Sequence, residues 1–188
     1  MRFVVLFDAC VLYPAPLRDF LLNLALTGLF AARWTDRIHA EWINNLLAQR
    51  PELQRVKLER TRDLMNQAIP DSRVTDYEPL IEGLDLPDPD DRHVLAAAIR
   101  AGAQVIVTFN LKDFPADKLE PFGVEALHPD EFVAYQMELH EGTVVSAAKA
   151  QRANLKTPPI SVDQLLQTLA AQGLVITSDR LRDFEDLI

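Results

Sequence analysis

Two short, continuously apolar runs stand out along the chain, Phe3-Val4-Val5-Leu6-Phe7 and Val105-Ile106-Val107. Runs of this length, rich in β-branched and aromatic residues, predict buried strands, here over 2–7 and 104–108. Between and around them apolar residues recur at spacings of three and four, which predicts helices over 17–27, 36–49, 52–69 and 92–101. Gly28 and Gly102 close the first and the last of these, Pro51 opens the third and Pro70 stops it. A short strand is expected over 29–34, and weaker ones over 72–77 and 124–127. After 129 the pattern is helical: 129–139, 143–154 and 161–172, with Gly142 and Pro158-Pro159 as breaks, then a short helix within 178–188. Ser161 with Gln164 has the spacing of a capping box, and Gly173 ends that helix.

Helix and strand alternate in the first two thirds, so an α/β fold with a parallel sheet and helices on both faces is expected there. A small helical extension follows, giving domains at 1–132 and 133–188. No internal repeat is present.

Four acids occupy telling positions in this pattern. Asp8 follows the first strand at its carboxyl end, where ligands collect in open α/β sheets. Asp113 lies just after the second strong strand, in Thr108-Phe109-Asn110-Leu111-Lys112-Asp113-Phe114. Asp91 ends the loop Leu86-Pro87-Asp88-Pro89-Asp90-Asp91 and opens the helix leading into that strand. Glu41 sits beside the stripe Ile38, Trp42, Leu46 and is expected at the rim of a packed face. Each acid also has a structural reading. Asp90 and Asp91 can cap a helix, Glu41 can pair with Arg37 one turn earlier, and Asp113 can cap a turn.

Taken together, Phe7-Asp8-Ala9-Cys10-Val11-Leu12, the helix carrying Glu41, Asp91-Arg92-His93-Val94-Leu95-Ala96-Ala97-Ala98 and the stretch from Val107 to Phe114 resemble the PIN-domain ribonucleases, and within them the toxins of VapC type. The resemblance covers roughly 1–132. Cys10 stands where many members have Asn, a Tyr-Pro-Ala-Pro-Leu-Arg-Asp stretch follows, and more than fifty further residues resemble the helical segment of a longer branch. It implies a Mg2+- or Mn2+-dependent endoribonuclease leaving a 5′-phosphate and a 3′-hydroxyl. Asp8, Asp91, Asp113 and Glu41 would be the metal and catalytic residues, with Thr108 and Asn110 holding the acids by hydrogen bonds. Asp90 is the rival to Asp91. The implied partners are an RNA substrate and a cognate antitoxin protein, with a homodimer allowed and no membrane involved.

Composition narrows the field around this reading. At 188 residues and 48% hydrophobic content the chain can bury a real core. No apolar run is long enough to span a bilayer, and the expected location is cytoplasmic. One cysteine excludes an internal disulfide, and four histidines without paired cysteines argue against zinc. A net charge of -9 argues against indiscriminate nucleic-acid binding. Positive charge nonetheless gathers at Arg50, Arg55, Lys57, Arg60 and Arg62, either an RNA-facing helix or an ordinary solvated face. The alternatives are a non-catalytic module or a receiver- or haloacid-type phosphate-handling domain. For the latter Thr108 and Lys112 fit superficially, but Asp8-Ala9-Cys10 supplies neither the acidic pair nor the Asp-x-Asp it needs.

Overall fold

The computed structural model describes residues 3–188, so the expected strand position at Arg2 lies outside the described residues. The chain forms two compact units, one from residues 3–13 and 30–127, the other from 14–29 and 128–188.

The first unit is built on four parallel strands, β1 (Val4–Phe7), β2 (Ala31–Arg33), β3 (Val105–Val107) and β4 (Glu125–Leu127), in the order β2-β1-β3-β4. Val5, Leu6, Phe7, Ile106 and Val107 are wholly buried, as the continuous apolar runs of a parallel sheet should be. Asp8 N–H donates to Val107 O at 3.1 Å and Thr108 N–H to Leu127 O at 3.0 Å. The ladder is thus carried one residue past the ends of β1 and β3. Because β2 lies on one side of β1 and β3 on the other, the strand order reverses between β1 and β3, and the cleft beyond their carboxyl ends is where such sheets bind ligands.

Around the sheet lie α1 (Ala9–Leu12), α3 (Asp36–Gln49), α4 (Arg55–Ala68), α5 (Arg92–Ala101) and α6 (Ala116–Leu119); α2 (Ala15–Leu26) belongs to the second unit. Helix α3 starts at Thr35, whose hydroxyl accepts from Ile38 N–H, and packs Ile38 and Trp42 into the core. Helix α5 packs on β1 and β3 through fully buried Val94, Leu95, Ala96, Ala97 and Ala98. Gly102 ends it at φ +62, the left-handed conformation that only glycine adopts without strain.

Two expectations shift here. Helix α4 begins at Arg55 rather than at 52, because Pro51 and its neighbours form a turn before it. The segment expected as a strand over 72–77 makes only a bridge between Arg73 and Trp34, and the chain then enters a 3-10 turn, Glu78–Gly83.

The second unit is helical: α2, α7 (Pro129–Asn154), α8 (Val162–Ala171) and α9 (Val175–Arg182). Helix α2 runs along α7, burying Leu17, Phe20, Leu21 and Leu24 completely, while α8 and α7 pack on α9. The capping box at Ser161 and Gln164 forms, with Gln164 N–H donating to Ser161 Oγ and Ser161 N–H to Gln164 Oε1. The break expected at Gly142 is instead a kink at His140 (φ -148, ψ 52), with helix on either side. At the start of α9, Leu174 cannot cap, and Asp130 from α7 takes the role. Its carboxylate accepts from Ile176 N–H (2.8 Å), Thr177 N–H (2.9 Å) and the Thr177 hydroxyl (2.8 Å). No helix among the described residues is long and apolar enough to cross a membrane.

Candidate active site

Asp8 leaves β1 at the switch point and is only 5% exposed. Its Oδ1 accepts from Ala9 N–H at 2.7 Å, and Oδ2 accepts from the Thr108 hydroxyl at 2.8 Å and the Cys10 thiol at 3.3 Å. Thr108 Oγ1 in turn accepts from Asn110 N–H at 3.0 Å, so the chain leaving β3 is tied to the acid leaving β1. Burial raises the Asp8 carboxyl above its ordinary value, those three donors work against the rise, and the negative charge of Glu41 adds to it.

Cys10 completes the knot. Phe109 N–H donates to its sulfur at 3.3 Å, and burial beside the Asp8 charge pushes the thiol up to about 12. A thiol held protonated at neutral pH is a hydrogen-bond donor and not a nucleophile.

Asp91 ends the loop before α5, and its side chain makes no capping hydrogen bond; the cap in this loop is Asp88, which accepts from Asp90 N–H. Burial, followed by the charges of Asp8, Asp88 and Asp113, raises the Asp91 carboxyl to about 6, with His93 opposing. Asp90 is exposed, and its hydrogen bonds among the described residues run through its backbone, its N–H to Asp88 and its carbonyl from Arg37 at 3.4 Å.

Asp8, Glu41 and Asp91 line one cavity of about 330 Å³, together with Cys10, Tyr13 and Asn110. Asn45 and Gln49, from the Glu41 face of α3, complete its wall, and the Tyr13 hydroxyl donates to Gln49 Oε1 at 2.6 Å. Asp113 does not line this cavity; it sits in the 3-10 turn Leu111–Asp113 after β3, and what reaches the site is its charge, acting on Asp91. Among the described residues, no three histidine, cysteine, aspartate or glutamate side chains stand close enough to hold one ion as they are.

Glu41 forms the ion pair with Arg37 that its spacing allows, at 3.2 Å, and a second contact that no local spacing could show: His93 Nε2 lies 2.9 Å from the same oxygen, Oε1. A histidine on the apolar face of a helix reads in sequence as core, which hides this contact from any reading of local pattern. His39 is core in that sense. Its Nδ1 accepts from Trp42 Nε1, its Nε2 bonds Asn66, and burial lowers it to about 4.

The basic stretch is largely internally paired: Arg50 with Glu52, Arg55 with Glu59 and Asn44, Arg62 with Asp63. Lys57 and Arg60 are exposed without a carboxylate at ion-pair distance among the described residues.

Comparison with known proteins agrees with this arrangement of elements. Residues 129–183 match the family described as the VapC50 C-terminal domain. A relative from Mycobacterium tuberculosis (strain ATCC 25618 / H37Rv), named "Putative ribonuclease VapC50", is 45% identical over 82 residues, which are 44% of this chain and 48% of the relative. The chain thus spans about half the length of the curated relative it matches. No solved structure matches it. Residues 4–112, more than half of the chain, match the PIN domain, and the chain belongs to the PIN-domain family.

Proposed function

We propose that this chain is a divalent-metal-dependent endoribonuclease, the toxin of a toxin–antitoxin pair, hydrolysing RNA phosphodiesters at the cavity beyond β1 and β3. The observation that carries the reading is the meeting of Asp8, Glu41 and Asp91 in that cavity, with the Asp91 carboxyl raised to about 6 by burial and by its acidic neighbours. Carboxylates that repel one another in a half-buried pocket are stabilised by a cation. The donors are all oxygen, which suits Mg2+ or Mn2+ and not zinc.

In this reading Asp8 and Asp91 hold the ion directly or through water, Asp113 adds its charge from the neighbouring turn, and Glu41 orients the attacking water. Thr108 fixes the Asp8 rotamer, and the backbone of Asn110 fixes Thr108. Asp91 takes this role rather than Asp90, because Asp91 faces the cavity with no capping duty. When bound, the cation supplies Lewis-acid stabilisation of the charge developing on the phosphate. Lys57 and Arg60 are suited to the RNA backbone, and the helical unit to an antitoxin.

The test is cleavage of total cellular RNA with Mg2+ or Mn2+, followed by end mapping. Asp8→Asn should lower the rate by more than about 100-fold, beyond the 10–100-fold typical of outer partners, while the protein stays folded. Chelation should silence the wild type. Cleavage surviving both changes would end the nuclease assignment, and harmless expression without a co-purifying partner would end the toxin assignment alone.

A further inference from the structure

We infer that His93 is a positioning residue for this site, holding the Glu41 carboxylate in place through a buried polar contact; the inference rests on the nuclease reading above. His93 lies in the first turn of α5, two residues past Asp91, and is 1% exposed. Its Nε2 is 2.9 Å from Glu41 Oε1. Its Nδ1 is buried and has no partner among the described residues, so the contact of Nε2 with Glu41 is the polar anchoring of this ring.

Glu41 has two basic neighbours, and they differ in kind. Arg37 approaches Oε1 at 3.2 Å from one turn earlier on the same helix, and its side chain is 45% exposed. A pair of that sort between long, solvated side chains is weak and does not fix a rotamer. His93 comes from a different element, and its ring is locked by the packing of α5 against the sheet. Both contacts are made at Oε1, and among the described residues Oε2 accepts no hydrogen bond, which leaves one oxygen of Glu41 available to the cavity that Glu41 lines.

The consequence is a crosslink at the site. The Asp91 carboxylate stands at the mouth of α5 and the Glu41 carboxylate on α3, and the His93 ring joins the two helices within two residues of the former and in contact with the latter. Without it, Glu41 is held by a surface arginine alone and is free to swing toward solvent. Outer partners of this type act by orienting the groups that hold an ion, and their loss weakens metal affinity by about 10–100-fold.

A plain core histidine predicts a different outcome, so the two separate by experiment. In the full chain, His93→Leu keeps the volume and removes the ring nitrogen that touches Glu41; His93→Gln places a polar amide nitrogen where Nε2 stood; His93→Asn carries an amide too short to reach Glu41. Mn2+ affinity is measured by titration calorimetry on each, with the thermal midpoint in chelator and the rate of RNA cleavage alongside. We expect His93→Leu to fold with a midpoint close to wild type, to bind Mn2+ about 10–100-fold more weakly and to cleave more slowly. His93→Gln should recover most of both, and His93→Asn should not. If His93→Leu does not fold, the Gln and Asn variants decide between themselves. Mn2+ affinity within twofold of wild type in His93→Leu, or equal in Gln and Asn, overturns the inference. A wild-type chain that binds no Mn2+ and cleaves no RNA would instead remove the nuclease reading on which it stands.

Discussion

Asp8 and Asp130 are equally buried, 5% and 6% exposed, and each accepts three hydrogen bonds, yet the two units of this molecule use them for different ends. The donors to Asp130 are two backbone N–H groups and a hydroxyl at the start of a helix, and its bonds tie α7 to α9. The Asp8 donors come from its own turn and from Thr108, but Glu41 and Asp91 face the same cavity and repel it. Asp91 accepts no capping bond at all and feels three like charges. A buried acid answered by helix N–H groups stabilises a fold. A buried acid answered by other acids costs stability until a cation arrives.

The sharpest way to break this contrast is Asp130→Ala. It strands Thr177 N–H in the core and removes the cap that α9 has among the described residues, so a loss of roughly 2–4 kcal/mol is expected from an unmet buried donor and a lost charged partner. Chemical denaturation of the full chain measures it. A loss below about 0.5 kcal/mol would mean that water replaces the carboxylate, and that the two acids are not different after all.

Asp91→Asn should do the reverse. The folded-state pKa of Asp91 is raised from 3.8 to about 6, so the folded state binds a proton more tightly than the unfolded one. That contribution is fully present below the unfolded value and is lost as pH rises through the folded one. Metal-free wild type should therefore lose stability between about pH 4 and 6, and the Asn variant should show a flatter profile across that window. Midpoints in chelator at a series of pH values check this. A variant clearly less stable than wild type at neutral pH would make Asp91 a helix cap, although its side chain makes no such bond here.

The smallest effect is expected at Cys10. With its thiol pushed up to about 12, alkylation of the native protein at neutral pH should be slow relative to a free cysteine, and Cys10→Ala should leave cleavage near wild type. Rapid alkylation, or a large loss of cleavage, would show that the sulfur takes part in more than the fold of the β1 and β3 ends.

What was legible in sequence follows from range. Helices α3 and α5 were readable because their signals are local: the stripe Ile38, Trp42 and Leu46 marks one and Gly102 ends the other. Helix α7 reads in sequence as two pieces with a break at Gly142, since a glycine weakens a helix on average; the structure has two helical pieces with the break two residues earlier, at His140 (φ -148, ψ 52). The convergence of Asp8, Glu41 and Asp91 was visible only as family resemblance, because no periodicity spans 83 residues. The Glu41 to His93 contact and the cap from Asp130 to α9 were not legible. Each joins two elements across 52 and 47 residues through one side chain whose local context is ordinary.

Helix α2 carries a consequence for how this protein is made. Its buried face, Leu17, Phe20, Leu21 and Leu24, belongs to the helical unit and lies along α7, which begins only at Pro129. A ribosome adding about 5–20 residues per second leaves that face without its partner for roughly 5–20 s after it emerges. During that interval the sheet, whose last strand ends at Leu127, can close before the helical unit has its second half. The nascent chain therefore carries an apolar helix in waiting, and a protein interrupted after its sheet is complete would keep that helix exposed for good.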